Sequence, residues 1–231
     1  IVVDEAQELS PMAWRALLRR CPSRSFTVVG DLDQRRGSKR PGSWEKALGP
    51  AARAFAAEYA LTVSYRTPAT LTTLAEGVVA RAGAPVLYPM TAVRDVEDCY
   101  RVTHVEAPED ATASSRSTDP LWEAAHQAQQ VAEERLDREA GASRGRVAII
   151  VGAQRARAWG ADVDGETALS ERVALLSANA SKGLEFDSVV LVEPGEIMSD
   201  GIGDLFVALT RATHDVHVVH ASPLPAGMEE W

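Results

Sequence analysis

Six short runs of apolar residues, most of them branched, punctuate this chain at 1–3, 26–29, 147–151, 173–176, 188–192 and 216–219. None alternates polar with apolar residues. A run of that length and kind predicts a strand buried on both faces, the habit of parallel sheets covered by helices on either side. The intervening sequence carries helical patterns. Ser10 followed by Pro11 reads as an N-cap and a first helical residue, with Trp14, Leu17 and Leu18 falling on one face. Thr67-Pro68 repeats that start signal ahead of Leu71, Leu74 and Val78, residues 121–136 form a polar, alanine-rich helix, and Asp204 is placed to cap a helix over 205–213. Strands alternating with helices predict a doubly wound α/β architecture. The Ser/Thr/Ala-rich stretch 109–119 reads as a surface loop, and Leu48-Gly49-Pro50 breaks the pattern. The expected division is therefore 1–48, two strands of one domain, and 49–231, a second domain able to fold alone.

With 231 residues, 45% apolar and 25% charged, the composition is that of a globular protein with a real core. No apolar run approaches the ~20 residues a bilayer span needs. The opening Ile1-Val2-Val3-Asp4-Glu5 lacks a basic start, a small-residue cleavage site and an initiator methionine. The expectation is a cytoplasmic protein of which this is the C-terminal part. Cys21 and Cys99 have no zinc spacing and read as free thiols. A net charge of −9 is not that of a stand-alone nucleic-acid binder, and the one basic cluster noted, Arg35, Arg36, Lys39 and Arg40, reads as a solvated loop or a phosphate contact.

Two strand ends carry the candidate chemistry. The first apolar run ends in Asp4-Glu5-Ala6-Gln7. Ligands of open α/β sheets gather at such ends, where a hard Mg²⁺ takes carboxylate oxygen and a neighbouring carboxylate can deprotonate an attacking water. On these residues alone, a magnesium site with its base and an ordinary polar strand end are equally compatible. The second run ends in Gly30-Asp31-Leu32-Asp33-Gln34-Arg35, which brings more carboxylates to a parallel neighbour.

These two segments resemble the second (Walker B) and third motifs of superfamily 1 (UvrD/Rep-like) helicases. The order continues through Leu61-Thr62-Val63-Ser64-Tyr65-Arg66-Thr67-Pro68, similar to the fourth motif, and the run from Ser177 to Asp187 that contains Ser181-Lys182-Gly183-Leu184-Glu185-Phe186, similar to the fifth. Val207-Ala208-Leu209-Thr210-Arg211-Ala212-Thr213 resembles the sixth. The wording of residues 4–12 and of Arg20-Cys21-Pro22-Ser23-Arg24 is closest to the HelD (helicase IV-like) branch, which includes RNA polymerase-binding ATPases. The resemblance implies two RecA-like P-loop NTPase domains, the first present only as a remnant, with ATP and Mg²⁺ between them. It implies Asp4 on the metal, Glu5 as base, Gln34 sensing the γ-phosphate, Arg66 and Arg211 as arginine fingers, Tyr65 stacked on adenine, Glu185 on the sugar and Gly183 allowing close backbone approach. Arg211 is expected on the last helix, on the face of Asp204. Lys182, Trp44 and Arg35 are the candidate nucleic-acid contacts.

Two departures bear on activity. Family helicases carry a strand-tracking aromatic just after the third motif, whereas the next aromatic here is Trp44, which can stack on a base or pack under the loop. No Gly-Lys dipeptide occurs, so the phosphate-binding loop GxxxxGK[ST] is not in these residues, and the chain alone is expected not to hydrolyse ATP. Gly201-Ile202-Gly203 is not a dinucleotide fingerprint. Three functions stay open at this stage: a DNA translocase or helicase, a motor that remodels RNA polymerase complexes, and an inactive remnant that only binds a partner.

Overall fold

In the computed structural model, which describes residues 1–35, 41–106, 115–162 and 170–229, every one of the six runs lies in or over a strand. Strands β1 (Val2–Val3) and β2 (Thr27–Val28) pair in parallel, as do β3 (Val63–Ser64) and β4 (Thr91–Ala92). The main sheet contains β5 (Tyr100–His104), β6 (Val147–Val151), β7 (Val173–Ser177), β8 (Phe186–Val192) and β9 (Ala212–His220) in the order β5-β9-β8-β6-β7, all parallel. Successive residues of the central strands feed opposite faces. Ala148, Ile150, Val189, Leu191, Val216 and Val218 pack under α3 (Ala69–Arg81) and α7 (Ile202–Leu209), whereas Val147, Ile149, Val190 and Val192 pack under α4 (Pro120–Ala140) and α5 (Ala153–Trp159). An apolar run without alternation is what a strand covered on both faces requires. The protein is thus α/β, with a parallel sheet flanked by helices.

A smaller cluster joins the first residues. Val3 and Ala6 pack with Trp14 of α1 (Pro11–Arg20), Leu48 of α2 (Trp44–Leu48) and Ala51. The start of α1 follows the sequence: Ser10 Oγ accepts the Ala13 amide at 3.1 Å, and Pro11 opens the helix. Helix α6 (Pro194–Asp200) completes the elements.

Three expectations are corrected. Thr67 does not cap α3; its hydroxyl turns to the Thr210 carbonyl at 3.5 Å, and the helix begins at Ala69, whose amide is taken by Arg94 O at 2.8 Å. Asp204 does not cap the last helix either. Gly201 begins that helix earlier, Asp204 sits in its first turn, and α7 ends at Leu209. Residues from Ala212 onward pair with β8, so Arg211 lies between helix and strand, not on the helix. Of the loop expected over 109–119, residues 109–114 lie outside the described residues, and Asp119 is a buried N-cap. Strand β5 was not foreseen because it is an edge strand whose Arg101, Thr103 and His104 break any apolar run.

Asp119 anchors a buried charge network. It accepts from Leu121 N (3.1 Å), from Trp159 Nε1 (3.0 Å) and from the Arg155 guanidinium, which also pairs with Glu196 at 2.6 Å. Arg155 is 1% exposed. Its own burial works against the charge, and the Glu196 and Asp119 carboxylates more than restore it, so its pKa ends above the ordinary arginine value. Removing one member of such a set strands buried charge, so Asp119→Ala should lower the free energy of unfolding by about 3 kcal/mol. Urea titration of the variant should show an earlier midpoint with an unchanged slope.

Candidate functional site

The site forms where the β1–β2 pair meets the amino ends of β8 and β9. Asp4 and Glu5 follow β1 directly. Glu5 holds a left-handed backbone (φ 48°, ψ 37°), an uncommon conformation for a residue with a side chain and one that recurs at functional sites. Two hydrogen bonds support this turn. Asp4 Oδ1 accepts the Glu5 amide at 2.8 Å, and the buried Gln7 donates from Nε2 to Glu5 Oε2 at 2.6 Å. The other end of the Gln7 amide, Oε1, accepts the Asp31 amide at 3.1 Å and so ties the end of β1 to the end of β2. Gly30 is required there, because a Cβ would come within 2.3 Å of Gln7 Oε1.

Asp31 then organises the second segment. Its Oδ1 accepts Asp33 N at 2.8 Å and its Oδ2 accepts Gln34 Nε2 at 2.9 Å. Gln34 Oε1 faces across the cleft and accepts from Arg211 Nη2 at 3.3 Å. Arg211 is 2% exposed and is fixed from its own side by Nε to Val207 O and Nη1 to Leu184 O, both 3.2 Å. Burial first, and the like charge of Arg66 second, push its guanidinium down to about 10, while Glu5, Asp31 and Glu185 oppose that shift. It stays cationic at neutral pH. Arg66 pairs with Glu185 at 3.5 Å, and both side chains remain largely in solvent, so that pair is easily exchanged for another anion. The residues of four separate segments, 4–5, 31–34, 66 and 184–211, therefore surround one buried cation.

No protein-family model matches the chain, and no curated protein matches it. Among solved structures, the chain is similar to the arterivirus nonstructural protein 10 helicase (TM-score 0.47, 18% identity, 99% of this chain and 40% of that one). It is also similar to the C-terminal domain of a possible DNA helicase from Lactobacillus plantarum WCFS1 (TM-score 0.43, 19% identity, 71% of this chain and 92% of that one). The chain spans about 40% of the length of the arterivirus protein.

The remaining sequence candidates fall in different places. Tyr65 is exposed, beside Arg66. Gly183 has a positive φ of 73° with open space where a side chain would stand, so the backbone there is approachable. Lys182 bridges the segments, pairing with Glu8 at 3.0 Å and with Asp204 at 3.3 Å. Trp44, partly buried, packs on the Val3–Trp14 cluster against Gly30. Arg35 ends the 3-10 turn Leu32–Gln34, and its carbonyl lies against Gly203; the rest of the basic cluster, residues 36–40, is outside the described residues.

Sequence reasoning missed Gln7, Asp31 and Asp33 as organisers. Asp33 Oδ2 accepts the Leu87 amide at 2.9 Å and crosslinks the β2 end to the 83–90 turn region. What marks them is burial beside a strand end (Gln7 at 1%, Asp33 at 4%), which no local sequence pattern reveals. Gly203 was also missed. A Cβ there would sit 2.3 Å from Arg35 O and 3.1 Å from Asp33 O, so α7 and the 32–35 turn touch backbone to backbone. Gly203→Val should part them, lowering stability by about 2 kcal/mol. It should also raise hydrogen exchange at Gln34 and Arg35, whereas exchange unchanged at both amides would show that the close approach carries no stability.

Proposed function

We propose that this chain belongs to a nucleic-acid-dependent motor ATPase of the superfamily 1 helicase type, with residues 1–48 from one RecA-like lobe and 49–231 forming the other. The observation that carries this reading is the junction at Arg211: a buried guanidinium hydrogen-bonded to Gln34 across the cleft and close enough to Glu5, Asp31, Arg66 and Glu185 to feel their charges. A buried cation ringed by carboxylates, amide oxygen and a second arginine suits a ligand with several negative charges and a metal. The donor set fits magnesium nucleotide. Among the described residues no group of three metal-ligating side chains forms, so Asp4 would share the ion with ligand oxygens and water, as Mg²⁺ prefers.

Bound nucleotide and Mg²⁺ would supply the phosphoanhydride to be cleaved and the charge that holds it. The residues of this chain do the rest. Glu5, held by Gln7, orients and deprotonates the attacking water. Gln34 swings between Arg211 and the terminal phosphate. Arg66 leaves the exposed Glu185 for the phosphate, and Arg211 already waits there desolvated, where its charge counts most. Tyr65 would stack on the base and Glu185 would contact the sugar. Opening and closing of the cleft would transmit turnover to a nucleic-acid strand. Because the phosphate-binding loop is not among these residues, the chain alone should release no phosphate from ATP. Phosphate release measured by malachite green, with and without single-stranded DNA, on a form of the protein that supplies that loop tests the proposal. DNA-stimulated turnover is expected, and a loop-bearing form that binds DNA yet never hydrolyses ATP would end it. The narrower HelD-like assignment, with RNA polymerase as the remodelled partner, rests on the sequence wording.

A further inference from the structure

By sequence, Lys182 is a candidate nucleic-acid contact. In the fold its side chain is only 11% exposed, and its ammonium stands between two carboxylates, Glu8 Oε1 at 3.0 Å and Asp204 Oδ1 at 3.3 Å. An ammonium has three donors, so it serves both acids at once. The two acids belong to different parts of the molecule. Asp204 lies in the first turn of α7, on Lys182's own side of the cleft. Glu8 closes the 3-10 turn Ala6–Glu8, which follows Glu5 directly, and its amide donates to the Glu5 carbonyl at 3.0 Å. The ion pair with Glu8 therefore ties the turn that carries Glu5 to the lobe that carries Arg211.

The placing of the two acids gives the tie a direction. If the lobes part, Lys182 loses Glu8 but keeps Asp204, so it is never left as a buried charge without a counterion. That removes much of the penalty for breaking a buried pair. When the lobes close, Glu8 returns to a site of low dielectric, where its attraction to the ammonium is strongest. The two carboxylates repel each other there, which keeps the tie weak enough to release. Other contacts cross the same boundary: Asp33 Oδ2 accepts the Leu87 amide at 2.9 Å, and Gln34 Oε1 accepts from Arg211 at 3.3 Å.

We propose that Lys182 is a positioning residue for the hydrolysis. Through Glu8 it holds the Glu5 turn at a fixed distance from Arg211, and Asp204 is the partner it falls back on when the cleft opens. This deepens the motor reading and rests on it for the role of Glu5. The tie itself is read without nucleotide, so its failure and the failure of the motor reading are separate results.

The test is amide hydrogen exchange, followed by NMR, on the chain as it stands. The Leu87 amide reports parting of the lobes, because its acceptor Asp33 lies across the boundary, and the Glu8 amide reports the turn. Lys182→Met should speed exchange at both about tenfold. Ile149 and Val190, paired in the middle of the sheet, should exchange at the parent rate and show that the fold is intact. Glu8→Gln should act like Lys182→Met, and the double variant should go no further than either single. Lys182→Arg keeps the charge and should stay within about threefold of the parent. Asp204→Asn should slow exchange at Leu87 severalfold, since it removes both the repulsion of Glu8 and the fall-back partner. A fixed triad would instead be loosened by Asp204→Asn as much as by Glu8→Gln, and that result overturns the sharing. Unchanged Leu87 exchange in Lys182→Met overturns the tie. Should Lys182→Met not fold, Glu8→Gln, at the more exposed partner, carries the same test. In a form of the protein that supplies the phosphate-binding loop, Lys182→Met should lower kcat about tenfold at an unchanged KM for ATP. An unchanged kcat beside raised exchange overturns the positioning role.

Discussion

Arg66→Ala and Arg211→Ala should each lower ATP turnover by about 10³-fold or more in a form of the protein that carries the phosphate-binding loop, since that is the range of an arginine finger. The two should part company in every other respect. Arg66 has half-exposed surroundings and one long ion pair, so its loss should leave the unfolding midpoint within experimental error. Arg211 is buried and donates to Val207 O, Leu184 O and Gln34 Oε1; Val207 O keeps Thr210 as a donor, so truncation strands the Leu184 carbonyl and the Gln34 amide oxygen. Arg211→Ala should therefore lose turnover and stability together, and Arg211→Lys should recover more of the stability than of the turnover. The pH dependence has a definite sign. The folded chain holds Arg211 down to about 10, below its ordinary value when unfolded, so between the two the unfolded state binds the extra proton. This group's contribution to stability thus rises with pH across that window and is a constant cost below it, where both states are charged. If both alanine variants turned over ATP at the parent rate, the cleft at Arg211 would not be a site of phosphoryl transfer.

Glu5→Gln should be the second large effect, reducing turnover by about 10²- to 10⁴-fold while leaving nucleotide affinity within a few fold. A glutamine at this position keeps the size and the oxygen that accepts from Gln7 Nε2, but it cannot take a proton from water. The left-handed backbone at residue 5 is no worse for glutamine than for glutamate, so the fold should survive. Fluorescent-nucleotide titration alongside steady-state hydrolysis separates the outcomes. Lost affinity with undiminished single-turnover cleavage would assign Glu5 to binding rather than to proton abstraction.

Much of the architecture was written in local pattern. The runs at 147–151, 188–192 and 216–219 read as strands covered on both faces, and each is. Ser10-Pro11 started a helix because a hydroxyl acceptor and a residue without an amide proton satisfy a helix end wherever they occur. The same signal failed at Thr67-Pro68, where the hydroxyl found the Thr210 carbonyl, 143 residues away, instead of its own helix. It failed at Asp204 because glycine at 201 allowed an earlier start, and because pairing with β8 claimed residues from Ala212 that looked helical. Edge strand β5 was invisible for the opposite reason: half-exposed, it needs no apolar run.

The sequence by itself determined the α/β class, the two acidic strand ends and the identities of the arginines, since these depend on residue type and on spacing along one segment. Only the tertiary structure decided that Arg211 stands beyond its helix with Gln34 against it. It alone decided that Gln7 and Asp31 brace the acids, that Lys182 is held between Glu8 and Asp204, and that Gly203 lies against the Arg35 carbonyl. Each of those is a contact between distant segments. Its energy comes from burial and from partners that no local window contains, so residue type states what a group can do, and packing alone states with whom it does it.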